Sequence, residues 1–349
     1  MVLVDRAIAG YESTEMSETA NNDEQLEQTR RALDVLRKRL RAAIRGRDEV
    51  IDLVLVALLA DGHVLLEDYP GSGKTTLARA LGEAIRDDAL ADEIAAFRRI
   101  QFTPDLLPSD ITGTSVFDVE KNQFLFRRGP LFAHVVLADE INRTSPKVQA
   151  ALLEAMAEKQ VTVDNATYRL DDLFFVIATQ NPLDVAGTYP LPTPQLDRFL
   201  FKIRMSYIER DAELEVLAQY PTASLDHAQS LPDVTRGEIL TARRALRADV
   251  AIAQSVKDGL VDLARAIRAD PRVLQGASTR SLVLMLPALQ ARALLAGRDF
   301  VAPEDVAVLA PHVFGHRVEC APGIDEVASV VADHVGPIVD RLAKESLKR

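Results

Sequence analysis

The sequence has no tryptophan, a single cysteine (Cys320) and few aromatic residues, 5% of its 349 positions. One cysteine excludes an intrachain disulfide and a cysteine-built metal site, and it points to a reducing compartment. Positive charge is in deficit, with 41 Lys and Arg against 52 Asp and Glu, a net charge of −11 at pH 7. A chain of that sign repels nucleic-acid phosphates unless a local basic patch overrides the total. The densest basic stretch, residues 30–47, falls on a helical pattern and reads as a solvated face. Long apolar runs are missing too. The longest, residues 50–60, is interrupted by Asp52 and is too short to span a bilayer. Residues 1–22 are polar and acidic, unlike a signal peptide or a membrane anchor. These absences predict a soluble, cytoplasmic protein with no membrane segment.

What is present is an apolar content of 48%, mostly Ala, Leu and Val. That suits helices packed on a parallel sheet. Residues 1–22 are too poor in large apolar groups to fold and are expected to be a disordered tail. Leu33, Leu36, Leu40 and Ile44 then place one apolar stripe on a helix that Gly46 stops. Residues 48–59 read as a helix apolar on most faces and therefore buried. Short strands are expected at 63–67, 97–102, 134–139, 173–179 and 199–205. Helices are expected at 74–85 and at 145–159, the latter with Ser145 as N-cap and Pro146 in the first turn. This alternation predicts a parallel sheet covered on both faces. Residues 113–129 and 160–170 interrupt it as β-hairpin insertions, the second turning at Asp164-Asn165. Beyond residue 207 only helical patterns recur, at 212–219, 238–247, 252–268, 279–295, 303–309 and 326–344. The expected organisation is the tail 1–22, an α/β core over 23–208 and an all-α domain over 209–349.

The chemistry concentrates at the ends of the strands. Pro70-Gly71-Ser72-Gly73-Lys74-Thr75-Thr76 links a strand to a helix. Gly71 and Gly73 let backbone N–H groups approach an anion, and the helix N-terminus adds donors and a favourable dipole. Lys74 can reach the β- and γ-phosphates, and Thr75 can ligate Mg²⁺. The P-loop pattern asks for glycine at the place held by Asp68, a departure that leaves Gly-x-Gly-Lys-Thr intact. Asp139-Glu140 follows an apolar strand, where one acid can hold the Mg²⁺ shell and the other polarise an attacking water. Asn181 ends the next apolar strand. Its amide can hold that water or the γ-phosphate, or Asn181-Pro182 is simply a turn. Arg198 and Arg280 can each stabilise charge on a transferred phosphoryl group, in cis or in trans, or can form surface salt bridges. The histidines lack metal-ligand spacing and read as structural.

Together these motifs resemble the AAA+ ATPases and, within them, the MoxR family. The resemblance runs from about residue 30 to 345. It is carried by Leu65-Leu66-Glu67-Asp68-Tyr69-Pro70-Gly71-Ser72-Gly73-Lys74-Thr75, Gln101-Phe102-Thr103-Pro104-Asp105-Leu106-Leu107-Pro108-Ser109-Asp110, Arg128-Gly129-Pro130-Leu131-Phe132, Asp139-Glu140-Ile141-Asn142-Arg143, Ala178-Thr179-Gln180-Asn181-Pro182 and Gln195-Leu196-Asp197-Arg198-Phe199-Leu200. The resemblance implies an α/β P-loop AAA+ core followed by an all-α lid. Residues 71–76 become Walker A, and Asp139 and Glu140 become Walker B. Asn181 becomes sensor 1 and Arg280 sensor 2. Arg198 takes the place of the arginine finger, with Arg143 as its rival. Residues 44–47, with Gly46 at their centre, would border the adenine. The cofactors implied are ATP and Mg²⁺, and the assembly implied is a homo-oligomer, a hexameric ring. The family resemblance further implies a chaperone acting on partner proteins, among them proteins with von Willebrand factor A domains. Two other readings stand beside it: a nucleic-acid motor, disfavoured by the acidic charge, and a non-hydrolysing nucleotide switch, disfavoured by the intact Asp139-Glu140 pair.

Overall fold

The computed structural model describes residues 25–67, 71–88, 94–181, 187–218, 232–324 and 327–346. The proposed tail 1–22 and Asp68 lie outside these ranges. Five strands make the central sheet: β1 (Val64–Glu67), β2 (Ala95–Gln101), β3 (Ala133–Asp139), β4 (Phe175–Gln180) and β5 (Phe201–Arg204). They run in the order β5-β1-β4-β3-β2, every pair parallel. This is the parallel sheet that the strand–helix alternation predicts.

The inner strands β1, β3 and β4 are apolar at successive positions because both faces are covered. Side chains alternate across a pleated strand. Val64 and Leu66, Val135 and Leu137, and Phe175 and Ile177 therefore enter one core cluster. Leu65, Val136, Ala138, Val176 and Ala178 enter the other. The helix Pro146–Glu158 covers the second face through Val148, Leu152 and Met156. The first face is covered by Lys74–Glu83 and Asp48–Leu59. In Asp48–Leu59 every residue from Ile51 to Leu59 except Asp52 is buried. The reason is its position between the sheet and the lid helix Thr279–Leu295, whose Met285 and Leu289 join the same cluster. Core and lid thus share one apolar interior.

The lid contains the helices Gln254–Ala269, Thr279–Leu295, Pro303–Phe314 and Val327–Ser346. Arg236–Asp249 precedes them, lying against the core: buried Arg243 donates to the carbonyls of Leu58 and Asp172 and pairs with Asp61 at 2.6 Å. Short strands also occur where only helix was expected. Val234–Thr235 pairs with Ile85–Arg86, and Val273–Gln275 pairs with Glu319–Cys320. Elements of two or three residues leave no periodicity to read.

Both insertions are hairpins. Gly113–Asp118 pairs with Gln123–Arg128, and Gln160–Val163 pairs with Ala166–Arg169. Asp164 (φ 50°) and Asn165 (φ 63°) form the second turn, both in the left-handed region that a two-residue hairpin turn uses. At the base of the first, Gly113 has φ +104°, and a Cβ there would stand 2.3 Å from the Arg127 carbonyl oxygen.

Two local expectations change. The basic stretch 30–47 is a solvated face only in part, at Arg31, Lys38 and Arg41. Arg39 is buried and pairs with Asp233 at 2.5 Å, buried Arg47 donates to the Ser206 carbonyl, and Arg37 pairs with Asp52. Guanidinium stems reach across to the core, which spacing along one helix cannot reveal. Ser145 occupies the N-cap position, but its side chain makes no capping hydrogen bond.

Candidate nucleotide site

In a sheet of this kind ligands gather at the carboxyl ends of the strands, and the candidate residues do converge there. β4 inserts between β1 and β3, so the loop after β1 lies one strand away from Asp139. Register fixes the row: Gln101 stands beside Asp139, Ala138 beside Ala178, and Glu67 between Gln180 and Arg204.

The loop ends at Gly73, which takes φ +94° as the N-cap of Lys74–Glu83. A side chain would be strained there and would also meet Ile44, since a Cβ would stand 2.7 Å from the Ile44 Cδ1. Gly71 has φ +89° and open space where a Cβ would point. The helix carries no acid in its first turn, so its N-terminal N–H groups and dipole present an uncompensated positive end. The Ser72 hydroxyl is buried without a hydrogen-bond partner among the described residues. Lys74 and Thr75 are half-buried and Thr76 is exposed. This glycine turn, orphaned hydroxyl and first-turn Lys-Thr pair suit a polyphosphate with its magnesium. Gly46 (φ +66°) closes the neighbouring corner, where a Cβ would come within 2.7 Å of Ala212.

At the end of β3 the buried Thr179 side chain ties the two acids together. Its hydroxyl donates to Asp139 Oδ1 at 2.7 Å and accepts from the Glu140 N–H at 2.9 Å. Glu140 sits at φ 58°, ψ 50°, a left-handed conformation that turns its side chain off the line of the strand. Its Oε2 accepts from Gln101 Nε2 at 3.1 Å and lies 3.1 Å from Arg143 Nε. Asp139 Oδ2 accepts from Arg99, at 2.6 Å from Nη2 and 3.2 Å from Nε. Fully buried Gln149 braces the following turn by donating to the carbonyls of Ile141 and Tyr189.

Asn181 follows β4 at the same edge. Beside it Gln180 donates to Glu67 at 2.6 Å, and Glu67 also holds Lys202 at 2.6 Å. Arg198 and Arg280 stand apart from this cluster. Arg280 Nε is 3.7 Å from Asp197, which is pinned by buried Arg317 at 2.6 Å. Arg198 lines a cavity of about 400 Å³ with Glu154, Glu158 and Gln195, and its guanidinium has no hydrogen bond or ion pair among the described residues. Arg143 is engaged with Glu140.

The roles of Arg99, Gln101, Gln149 and Thr179 were not read from the sequence. A polar residue near the end of a strand was the available signal for Thr179 and Gln101, whereas Arg99 inside β2 and Gln149 inside Pro146–Glu158 carried none. Buried His63 is structural in geometry. His63 accepts from the Val176 N–H at Nδ1 and donates from Nε2 to the Met156 carbonyl, and burial pushes its pKa down to about 4.

Residues 63–201 match the model of the ATPase family associated with various cellular activities (AAA), and residues 265–334 match the AAA lid domain. The protein called Chaperone MoxR1 of Mycobacterium tuberculosis is 38% identical over 288 residues, 79% of this chain and 72% of that protein. The chain belongs to the MoxR family of AAA+ ATPases. Another member-like relative, the uncharacterised YeaC of Bacillus subtilis, is 47% identical over 79% of this chain and 83% of its own length. The crystal structure of a candidate ATPase from Cytophaga hutchinsonii superposes with a TM-score of 0.81 at 32% identity, covering 91% of this chain and 98% of that one. Among the described residues no helix is long and apolar enough to cross a membrane.

Proposed function

We propose that this MoxR-family chain hydrolyses ATP and uses the cycle to remodel or mature partner proteins. The observation that carries the reading is the Asp139–Thr179–Glu140 set, closed by hydrogen bonds of 2.7 and 2.9 Å beside the glycine turn of the P-loop helix. In this assignment Gly71, Ser72, Gly73, Lys74, Thr75 and Thr76 hold the phosphates, and Thr75 and Asp139 hold Mg²⁺. Bound Mg²⁺ supplies charge neutralisation for the β- and γ-phosphates. Glu140 positions and polarises the attacking water, with Asn181 as second support. The residues 44–47 around Gly46 border the base.

Arg198 acts in trans, as the finger of the neighbouring subunit's site. Its guanidinium is uncommitted within the described chain, whereas Arg143 already pairs with Glu140. Arg280, which lies 3.7 Å from Asp197, is assigned as sensor 2. The working unit is then a homo-oligomeric ring, taken as a hexamer. The chaperone name of the mycobacterial relative motivates a protein client, of which a von Willebrand factor A domain is the first candidate. Exposed Phe117, Val119 and Phe124 on the first hairpin offer such a client apolar surface.

The test is Glu140→Gln in the full-length chain. It is expected to bind ATP as wild type does and to lose turnover. Turnover at the wild-type rate would remove Glu140 from the mechanism. Arg198→Ala subunits are expected to be inactive alone and to regain turnover when mixed with Lys74→Ala subunits. Failure of complementation would place both groups in one subunit's site. A wild-type oligomer that binds ATP without hydrolysing it would establish the switch reading instead.

A further inference from the structure

Asp139 is the carboxylate assigned to the metal shell, yet both of its oxygens are engaged from within the chain. Oδ1 accepts from Thr179 at 2.7 Å, and Oδ2 accepts twice from Arg99, at 2.6 and 3.2 Å. The two partners differ in kind. Thr179 is fully buried and neutral. Arg99 carries a positive charge, stands on the adjacent strand β2 and leaves 47% of its side chain exposed. The same Nη2 also donates to Gln101 Oε1 at 2.7 Å, and Gln101 Nε2 donates to Glu140 at 3.1 Å.

We infer that Arg99 is an internal counter-ion which occupies the place of the divalent cation, so that Arg99 and Mg²⁺ compete for Asp139. The inference rests on the nucleotide-site reading given above. A guanidinium donating twice to Oδ2 uses the lone pairs that a metal or its water would need there, and two like charges at that spacing repel. The fit of Arg99 as a removable occupant follows from its geometry. It is long, half-exposed and held only by one carboxylate oxygen and the Gln101 amide oxygen, so it can swing into solvent without unfolding the strand. An empty site keeps Asp139 paired and the acid cluster in place. A loaded site sends Arg99 outward and frees the Gln101 amide oxygen, which couples metal arrival to the group beside Glu140. Arg99 is therefore a positioning residue: it sets the Mg²⁺ requirement without touching the phosphates.

The experiment follows binding of a fluorescent ADP analogue to the full-length wild type, Arg99→Met and Arg99→Lys, each titrated with Mg²⁺ after chelation. Arg99→Met keeps the stem and removes the charge. Its half-saturating Mg²⁺ is expected to fall about fivefold, the ratio that corresponds to about 1 kcal/mol. Arg99→Lys, which keeps the charge, is expected to stay nearer wild type. Paramagnetic resonance of free Mn²⁺ is expected to give the same order with no turnover involved. Thermal melts in chelator verify that the variants are folded. An Arg99→Met protein that needs the same or more Mg²⁺ overturns the inference alone. A wild type that binds no nucleotide overturns the site reading and the inference with it.

Discussion

Removing the Thr179 hydroxyl isolates the joint on which the acid pair depends. Thr179→Val keeps the shape of the side chain and deletes one bond to a carboxylate and one from the Glu140 N–H. A hydrogen bond to a charged group contributes about 1.5–3 kcal/mol and a neutral one about 1 kcal/mol. The methyl that replaces the hydroxyl returns about 0.8 kcal/mol of apolar burial. The net loss is about 2–3 kcal/mol, and the site is fully buried, so water cannot replace the lost partner. For a domain of this size that lowers the melting temperature by roughly 4–12 °C. Calorimetry without nucleotide, at one fixed protein concentration, reads the shift. Thr179→Ser keeps both bonds and loses only a methyl, so it should melt between Thr179→Val and wild type. A Val variant melting within about 1 °C of wild type, or no more affected than Ser, would refute the reasoning.

Arg317 is buried and ties the end of Pro303–Phe314 to the core by donating to Asp197 at 2.6 Å, the Phe199 carbonyl at 2.6 Å and the Leu200 carbonyl at 3.1 Å. Arg317→Met should cost about 3–4 kcal/mol by thermal denaturation, with little recovery in Arg317→Lys, which lacks the planar fork. Burial lowers the His63 pKa to about 4 from 6.5. The unfolded chain therefore binds this proton first, and the contribution is present above pH 6.5 and lost as pH falls towards 4, up to about 3 kcal/mol. Stability measured against pH should fall less steeply over that window in His63→Gln than in wild type. Gly113→Ala places a Cβ 2.3 Å from the Arg127 carbonyl oxygen at φ +104°, and should loosen the first hairpin by about 2–4 kcal/mol. Faster amide exchange over residues 114–128, with the central strands unchanged, is the expected signature.

The core strands, the P-loop helix and Asp48–Leu59 were legible because each carries its own pattern. Four apolar residues ending in an acid mark β3, and nine buried positions mark a helix enclosed on all sides. The hairpin at Asp164-Asn165 was legible because those residue types favour the conformation it uses. The fate of the basic stretch 30–47 was not, because Asp233, Asp52 and the Ser206 carbonyl that engage it are distant in sequence or lie on other elements.

The same division runs through the site. Gly71, Gly73, Lys74, Thr75, Asp139 and Glu140 are determined by the sequence itself, since a glycine turn opening a helix and an acid pair closing a strand are local arrangements. Tertiary structure decided which groups hold those acids. Only the order β5-β1-β4-β3-β2 sets β2 and β4 on either side of β3. That places Arg99 and Gln101 on one flank of Asp139-Glu140 and Thr179 on the other, at distances no spacing along the chain encodes. The physical reason is that hydrogen bonds between neighbouring parallel strands fix register across about 40 residues of sequence, as between Gln101 and Asp139 or Ala138 and Ala178.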